Sequence, residues 1–159
     1  MHLRLSRRDD FKAILEITIA AFAPIHESFR GILGDDIFNA VYPDWRGGYR
    51  AYVDMLAQNE DAQDIIVAEE GGSVVGFIMY HMDLEKKAGE LGLNAVHPEH
   101  QNRGIGSALY EHVLAEMKQQ GIEIVEVATG GDCSHAPARR AYEKAGFTAF
   151  PLARYYKRL

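Results

Sequence analysis

The feature that most constrains this chain is a run in which a strand, a turn and a glycine-opened helix follow one another without a gap. Residues 89–96 read as a strand that Pro98 ends, and a long helix is expected over residues 104–120. Ile105, Leu109, Val113 and Met117 recur at helical spacing as its buried face, Glu111, Glu116 and Lys118 mark its wet side, and Gly121 stops it. Two glycines one residue apart, Gly104 and Gly106, sit where this helix begins. The first turn of any helix leaves backbone N–H groups without intrahelical partners at the positive end of the macrodipole. Glycine there lets an anion approach the main chain, and Gln101, Asn102 and Arg103 add side-chain donors at the same end.

Around this unit the chain reads as one layered domain over residues 1–159. Leu3 and Leu5 alternate with Arg4 and Ser6 in a short first strand. Asp9 or Asp10 is placed to cap the helix that follows, where Ile14, Ile17, Thr18 and Ala21 keep a helical period. Pro24, Gly31 and Gly34 predict a loop over residues 24–34. A second helical stretch is expected from Asp35 or Asp36, interrupted at Pro43 and again at Gly47-Gly48, resuming over 49–57. Gly71-Gly72 predicts a hairpin turn between a strand starting at Ile65 and one over 74–82. A strand over 122–128, a helix with Ala138, Ala141, Tyr142 and Ala145 on one face and Gly146 at its end, and one or two strands within 147–157 complete the pattern. The expected class is α+β, a mixed sheet with helices on both faces.

Composition narrows the function classes. A net charge of −6 argues against nucleic acid as the main partner, because phosphate backbones select basic surfaces. The single cysteine, Cys133, excludes an internal disulfide framework and suits a reducing compartment. Without a run of eighteen apolar residues or an apolar leader core, the expectation is a cytoplasmic protein with no membrane partner. His97 and His100 flank Pro98 in a loop and lack the further ligands that a metal site needs, so no metal is expected.

A dinucleotide fingerprint would carry a third glycine-like residue where this chain has Leu109, and a nucleotide-hydrolase phosphate loop would need Gly-Lys-Ser/Thr, which is absent. The stretch instead resembles the GNAT superfamily of acetyl-CoA-dependent N-acetyltransferases, whose signature is Gln/Arg-x-x-Gly-x-Gly/Ala. Gln101, Arg103, Gly104 and Gly106 match it, preceded by Val96, Pro98 and Glu99. A second motif, Tyr142-Glu143-Lys144-Ala145-Gly146-Phe147, resembles the family's Tyr-Glu-Lys-x-Gly-Phe ending.

The resemblance implies a mostly antiparallel mixed sheet whose central strands splay, leaving a wedge for the pantetheine arm of acetyl-CoA. It places the arm against the backbone of Asn94, Ala95 and Val96, and the pyrophosphate on Gln101, Asn102, Arg103, Gly104, Ile105, Gly106 and Ser107. Acetyl transfer needs a neutral amine, and a free alkylamine has a pKa of about 10.4, so a base must take its proton. Glu90 stands where several members of the family place a catalytic glutamate, with His81 as the alternative base. Tyr142 matches the general-acid tyrosine that protonates the departing thiolate. Seven residues before it, where similar enzymes carry a cofactor-contacting asparagine, this chain has His135.

The implied acceptor site draws on His26, Glu27, Phe29, Asp35, Asp36, Phe38, Tyr42, Trp45 and Tyr49, with Arg154, Tyr155 and Tyr156. Aromatics and carboxylates together suit a cation with an apolar body. The expected partner is a small-molecule or peptide amine, and a homodimer is compatible with the sequence. The rival reading is a non-catalytic acetyl-CoA-binding regulatory module, which would keep the glycine loop without needing Glu90 or Tyr142.

Overall fold

The computed structural model describes residues 1–58 and 64–159. Five strands, β1 (His2–Leu5), β2 (Asp64–Glu70), β3 (Ser73–Asp83), β4 (Ala88–Val96) and β5 (Ile124–Val127), lie in the order β1-β2-β3-β4-β5. The first four pair antiparallel and β5 joins β4 in parallel, so the sheet is mixed and mostly antiparallel. Four helices cover it: α1 (Phe11–Val41), α2 (Trp45–Gln58), α3 (Ile105–Gln119) and α4 (Ala136–Lys144).

Alternation along the strands feeds two cores. Ile65, Val67, Phe77 and Met79 point to one face and pack with Ile14, Ile17, Val53 and Leu56 of α1 and α2. Ile66, Ala68, Ile78, Tyr80 and Leu91 point to the other, against Ile105, Leu109, Val113 and Met117 of α3 and Tyr142 of α4. The helical period expected from the sequence is the one that buries α3. Gly71 and Gly72 both take positive φ, 58° and 83°, which is the backbone that a tight hairpin turn requires.

Several local expectations give way to packing. Residues 24–34 are not a loop: α1 runs through Pro24, and its one break is a kink at Gly34 (φ 73°, ψ 159°). Proline deletes a single N–H, and the helix is held past it by an aromatic cluster with α2, where His26 stacks on Trp45 at 4.2 Å. Pro43 does separate two helices. Gly47-Gly48 does not, because these glycines fall in the first turn of α2, where the Asp44 carboxylate caps the Gly47 N–H at 2.9 Å. Asp10 makes no side-chain cap on α1; it accepts the Arg7 N–H at 2.7 Å and the Arg4 guanidinium at 2.6 Å. The strand expected over 122–128 is shorter, Ile124–Val127. Residues 147–157 add no strand; Pro151 lacks a ladder donor, and Phe150, Leu152 and Tyr155 stay exposed.

Two features of β4 position everything downstream. Its ladder with β5 stops at Leu91 opposite Val127, so among the described residues no strand pairs with 92–96 on that side. This is the splay the sequence implied. On the β3 side, Tyr80 faces Leu91 while Ile78 faces Asn94, so Met79 alone opposes Gly92 and Leu93. That extra residue is a bulge, and it resets which face each later side chain takes.

Candidate active site

The loop from β4 to α3 is built from backbone upward. Asn102 (φ 61°) and Gly104 (φ 81°) both occupy the left-handed region, turning the chain sharply into the helix. The Gln101 side-chain amide donates to the Val96 carbonyl at 3.1 Å, and the Arg103 guanidinium donates to the Glu99 carbonyl at 2.9 Å. These two side chains therefore brace the loop, and Arg103 also adds a positive charge to it. The Ala108 N–H is the first to close an intrahelical bond, to Gly104 at 3.0 Å, so the N–H groups of Ile105, Gly106 and Ser107 precede the ladder and point out of the helix end. A β-carbon on Gly104 would meet nothing within 4 Å, and one on Gly106 only Val96 Cγ2 at 4.0 Å. The openness at both positions is a cradle for an anion such as a pyrophosphate, and the donor set fits one.

Beside this helix end, Asn94 gathers the polar groups of the open half of β4. Its amide donates to the Gly92 carbonyl at 2.9 Å, latching the bulge, and to the Tyr142 hydroxyl oxygen at 3.2 Å. Its carbonyl oxygen accepts the Tyr110 hydroxyl at 2.8 Å. Burial first, and then the nearby Tyr142, push the Tyr110 hydroxyl far above its usual range, so it stays a donor. The Tyr142 hydroxyl in turn lies 3.5 Å from the Asn94 carbonyl oxygen, so the Asn94 amide faces it with both a donor and an acceptor. The Tyr142 ring is 7% exposed, packed on Tyr110 (5.3 Å) and Phe147 (6.0 Å). Tyr110 was not singled out from sequence, although its place beside Leu109 on the inner face of α3 was a usable signal.

Glu90 is not brought to Tyr142. It is exposed and lies on the α1/α2 face of the sheet, the opposite face from its neighbour Leu91 and from Asn94. His81 stands directly opposite it on β3 and Glu126 opposite it on β5, so the two base candidates share one row. This row lies one residue before the last β4–β5 pair, Leu91 with Val127.

The predicted acceptor residues divide. Phe29, Phe38, Tyr42, Trp45 and Tyr49 ring His26 with centroids 4.2–6.2 Å away. His26 is 4% exposed with neither ring nitrogen hydrogen-bonded, and burial, then Arg46, lowers its pKa. Asp35 and Asp36 are instead on the surface, paired with Arg30 (2.6 Å) and Arg158 (3.2 Å). Glu27, Arg154 and Tyr155 are exposed. Among the described residues no group of three or more His, Cys, Asp or Glu could hold a metal ion, and no helix is long and apolar enough to cross a membrane.

Comparison with known proteins identifies the family. The chain is similar to a mycothiol acetyltransferase of Sanguibacter keddieii, 33% identical over 55% of this chain and 29% of that protein. It is also similar to the phosphinothricin N-acetyltransferase of Streptomyces viridochromogenes, 31% identical over 62% of this chain and 54% of that one. The chain thus spans well under two thirds of these curated relatives. Among solved structures, a GNAT family acetyltransferase from Brucella melitensis in complex with acetyl-CoA superposes with a TM-score of 0.63 at 26% identity, covering 93% of this chain and 82% of that one. The model of the acetyltransferase (GNAT) family matches residues 34–147, which include the glycine loop, Asn94 and Tyr142, and the chain belongs to that family.

Proposed function

We propose that this protein is an N-acetyltransferase that carries an acetyl group from acetyl-CoA to a primary amine by direct attack in a ternary complex. The observation that carries the reading is Tyr142. It is buried on a helix beside the half of β4 that lacks a β5 partner, and Asn94 holds its hydroxyl, a group with a proton to give. Acetyl-CoA would lie with its pyrophosphate on the backbone of Gln101, Asn102, Arg103, Gly104, Ile105, Gly106 and Ser107, and its pantetheine amides along Asn94, Ala95 and Val96. The glycines allow that approach and the open strand edge supplies amide partners.

In this reading Glu90 takes the first proton from the incoming ammonium, with His81 the alternative in the same row. The amine enters from the α1/α2 face, where the aromatic cluster around His26 suits an apolar body carrying a cation. Relatives named for mycothiol and phosphinothricin acetylation favour a small-molecule acceptor over a peptide. A cytoplasmic location, no nucleic-acid or membrane partner and an optional homodimer complete the proposal, in keeping with the net charge of −6.

The test is turnover. Thiol release from acetyl-CoA would be followed across a library of small amines, aminoglycosides and peptides, with binding measured separately by calorimetry. Release with at least one amine supports the enzyme. Tight acetyl-CoA binding with no release on any amine would instead make the chain a regulatory acetyl-CoA-binding module.

A further inference from the structure

The Asp132-Cys133-Ser134-His135 turn holds a proton-handling pair. The His135 Nδ1 lies 2.6 Å from Asp132 Oδ1. Asp132 Oδ2 accepts the Ser28 hydroxyl from α1 at 2.6 Å, the Ser134 N–H at 3.1 Å and the Ser134 hydroxyl. Burial opposes the charge on Asp132, but the hydroxyls of Ser134 and Ser28 and the His135 ring outweigh it and hold the carboxyl well below its usual range. An ionised carboxylate only accepts, so the ring nitrogen facing it must carry the hydrogen, which leaves the lone pair of the neutral imidazole on Nε2. Ser134 also approaches Nδ1, at 3.3 Å, the nitrogen already committed to Asp132, so it is no candidate for activation by this histidine.

The position of the pair gives it a purpose. His135 ends the short Cys133–His135 turn and is the residue before α4, seven positions ahead of Tyr142 within that helix. Tyr142 reaches Asn94 on the α3/α4 side of the sheet, while the His135 ring stacks at 5.6 Å on Phe29 of α1, which packs on the other side. The segment that leads to His135 leaves β5 at Val127, the residue where the ladder with β4 ends. The chain therefore passes from the α1 side to the α3/α4 side beyond the end of the β4–β5 ladder, with His135 on the first side and Tyr142 on the second.

We infer that His135 Nε2 is a second proton acceptor of the acetyl transfer, with Asp132 as its positioning residue. The inference rests on the acetyltransferase reading. An alkylammonium must lose two protons to become an amide. The first goes to the base that frees the lone pair. The nitrogen then bonds to the acetyl carbon and becomes cationic, and His135 takes the second proton as the C–N bond forms. The C–S bond breaks, and the thiolate takes its proton from Tyr142. The imidazolium beside Asp132 returns its proton to the Tyr142 phenolate through solvent, so one proton is released per turnover, as the overall reaction requires.

The test uses two variants on the full chain with whichever amine turns over. His135→Phe keeps the ring stacked on Phe29 and controls for structure, whereas His135→Ala leaves room for added imidazole. Both should lower kcat by roughly 10²–10⁴-fold with acetyl-CoA affinity unchanged, and millimolar imidazole should restore part of the rate to the Ala variant alone. A readout independent of activity is the ¹⁵N spectrum of the ring, which should place the proton on Nδ1 in the parent and lose that preference in Asp132→Asn. A Phe variant at the parental rate, a folded Ala variant deaf to imidazole, or a parental proton on Nε2 alone would each overturn the inference while leaving the acetyltransferase standing. A parent that binds acetyl-CoA but releases no thiol with any amine overturns both.

Discussion

Replacing Gly106 by alanine pulls apart two effects that usually move together. In the free protein the new methyl meets only Val96 Cγ2, at 4.0 Å, so nothing has to shift. Alanine also loses less backbone entropy than glycine on entering a helix, worth about 0.5–1 kcal/mol. For a domain of this size that raises the melting midpoint by roughly 1–4 °C. With acetyl-CoA the sign reverses. If the pyrophosphate rests on the first-turn N–H groups, the methyl stands where its oxygens pack, and losing one charge-assisted hydrogen bond costs about 1.5–3 kcal/mol, or roughly ten- to hundredfold in Kd. Gly104→Ala provides the contrast. Gly104 sits at φ 81°, where a β-carbon costs about 1–2 kcal/mol, so this variant should lose both stability and affinity. Thermal denaturation of the free variants and calorimetric titration with acetyl-CoA measure the two quantities separately. A stabilised Gly106→Ala protein that binds acetyl-CoA as tightly as the parent would refute the placement of the pyrophosphate.

Three further outcomes are expected. Tyr142→Phe should keep the fold, losing about 1 kcal/mol for the bond from Asn94, and slow single-turnover acetyl transfer by roughly 10²–10⁴-fold; equal single-turnover rates would leave Tyr142 a core residue. Glu90→Gln should lower kcat without changing acetyl-CoA affinity, and if it does not, His81→Gln becomes the variant that must. The Arg4 guanidinium, then the Arg7 N–H, hold the Asp10 carboxyl below its ordinary range against the opposing effect of burial. Its folded pKa thus lies below the unfolded value of about 3.9, so its contribution to stability is full above that pH and is lost as pH falls through the folded value. Asp10→Asn should cost roughly 1–3 kcal/mol at pH 7 and make the remaining stability less sensitive to acid, as chemical denaturation at neutral and acidic pH will read.

What could be read from the chain alone follows the range of the forces involved. The glycine loop, the buried face of α3 and the partnership of Tyr142 with the alanine face of α4 are local patterns, set within one or two turns of the residues that show them. Asn94 was legible as backbone but not as the amide that joins Tyr110, Tyr142 and the bulge, because those partners come from three elements. The path of α1 through Pro24 was hidden for the same reason. Its stability past the proline comes from rings on α2, and no window around Pro24 contains Trp45 or Tyr49. Asp132 carried no signal at all until Ser28, more than a hundred positions earlier, was placed against it.

The single extra residue at Gly92-Leu93 makes the length of β4 a coded quantity. Side chains in a strand alternate, so a deletion at the bulge would hand every later position the opposite face. Asn94 would then point at α1, with the thickness of the sheet between its amide and Tyr142, and Val96 would leave the seat beneath Gly106. The 128–132 loop has no ladder to keep in step, and its place is set instead by the hydrogen bonds of Asp132 to Ser28 and His135. Libraries built on this scaffold can therefore vary residue identity within β4 but not residue number, since a frame error there is invisible to composition and ruinous to the site.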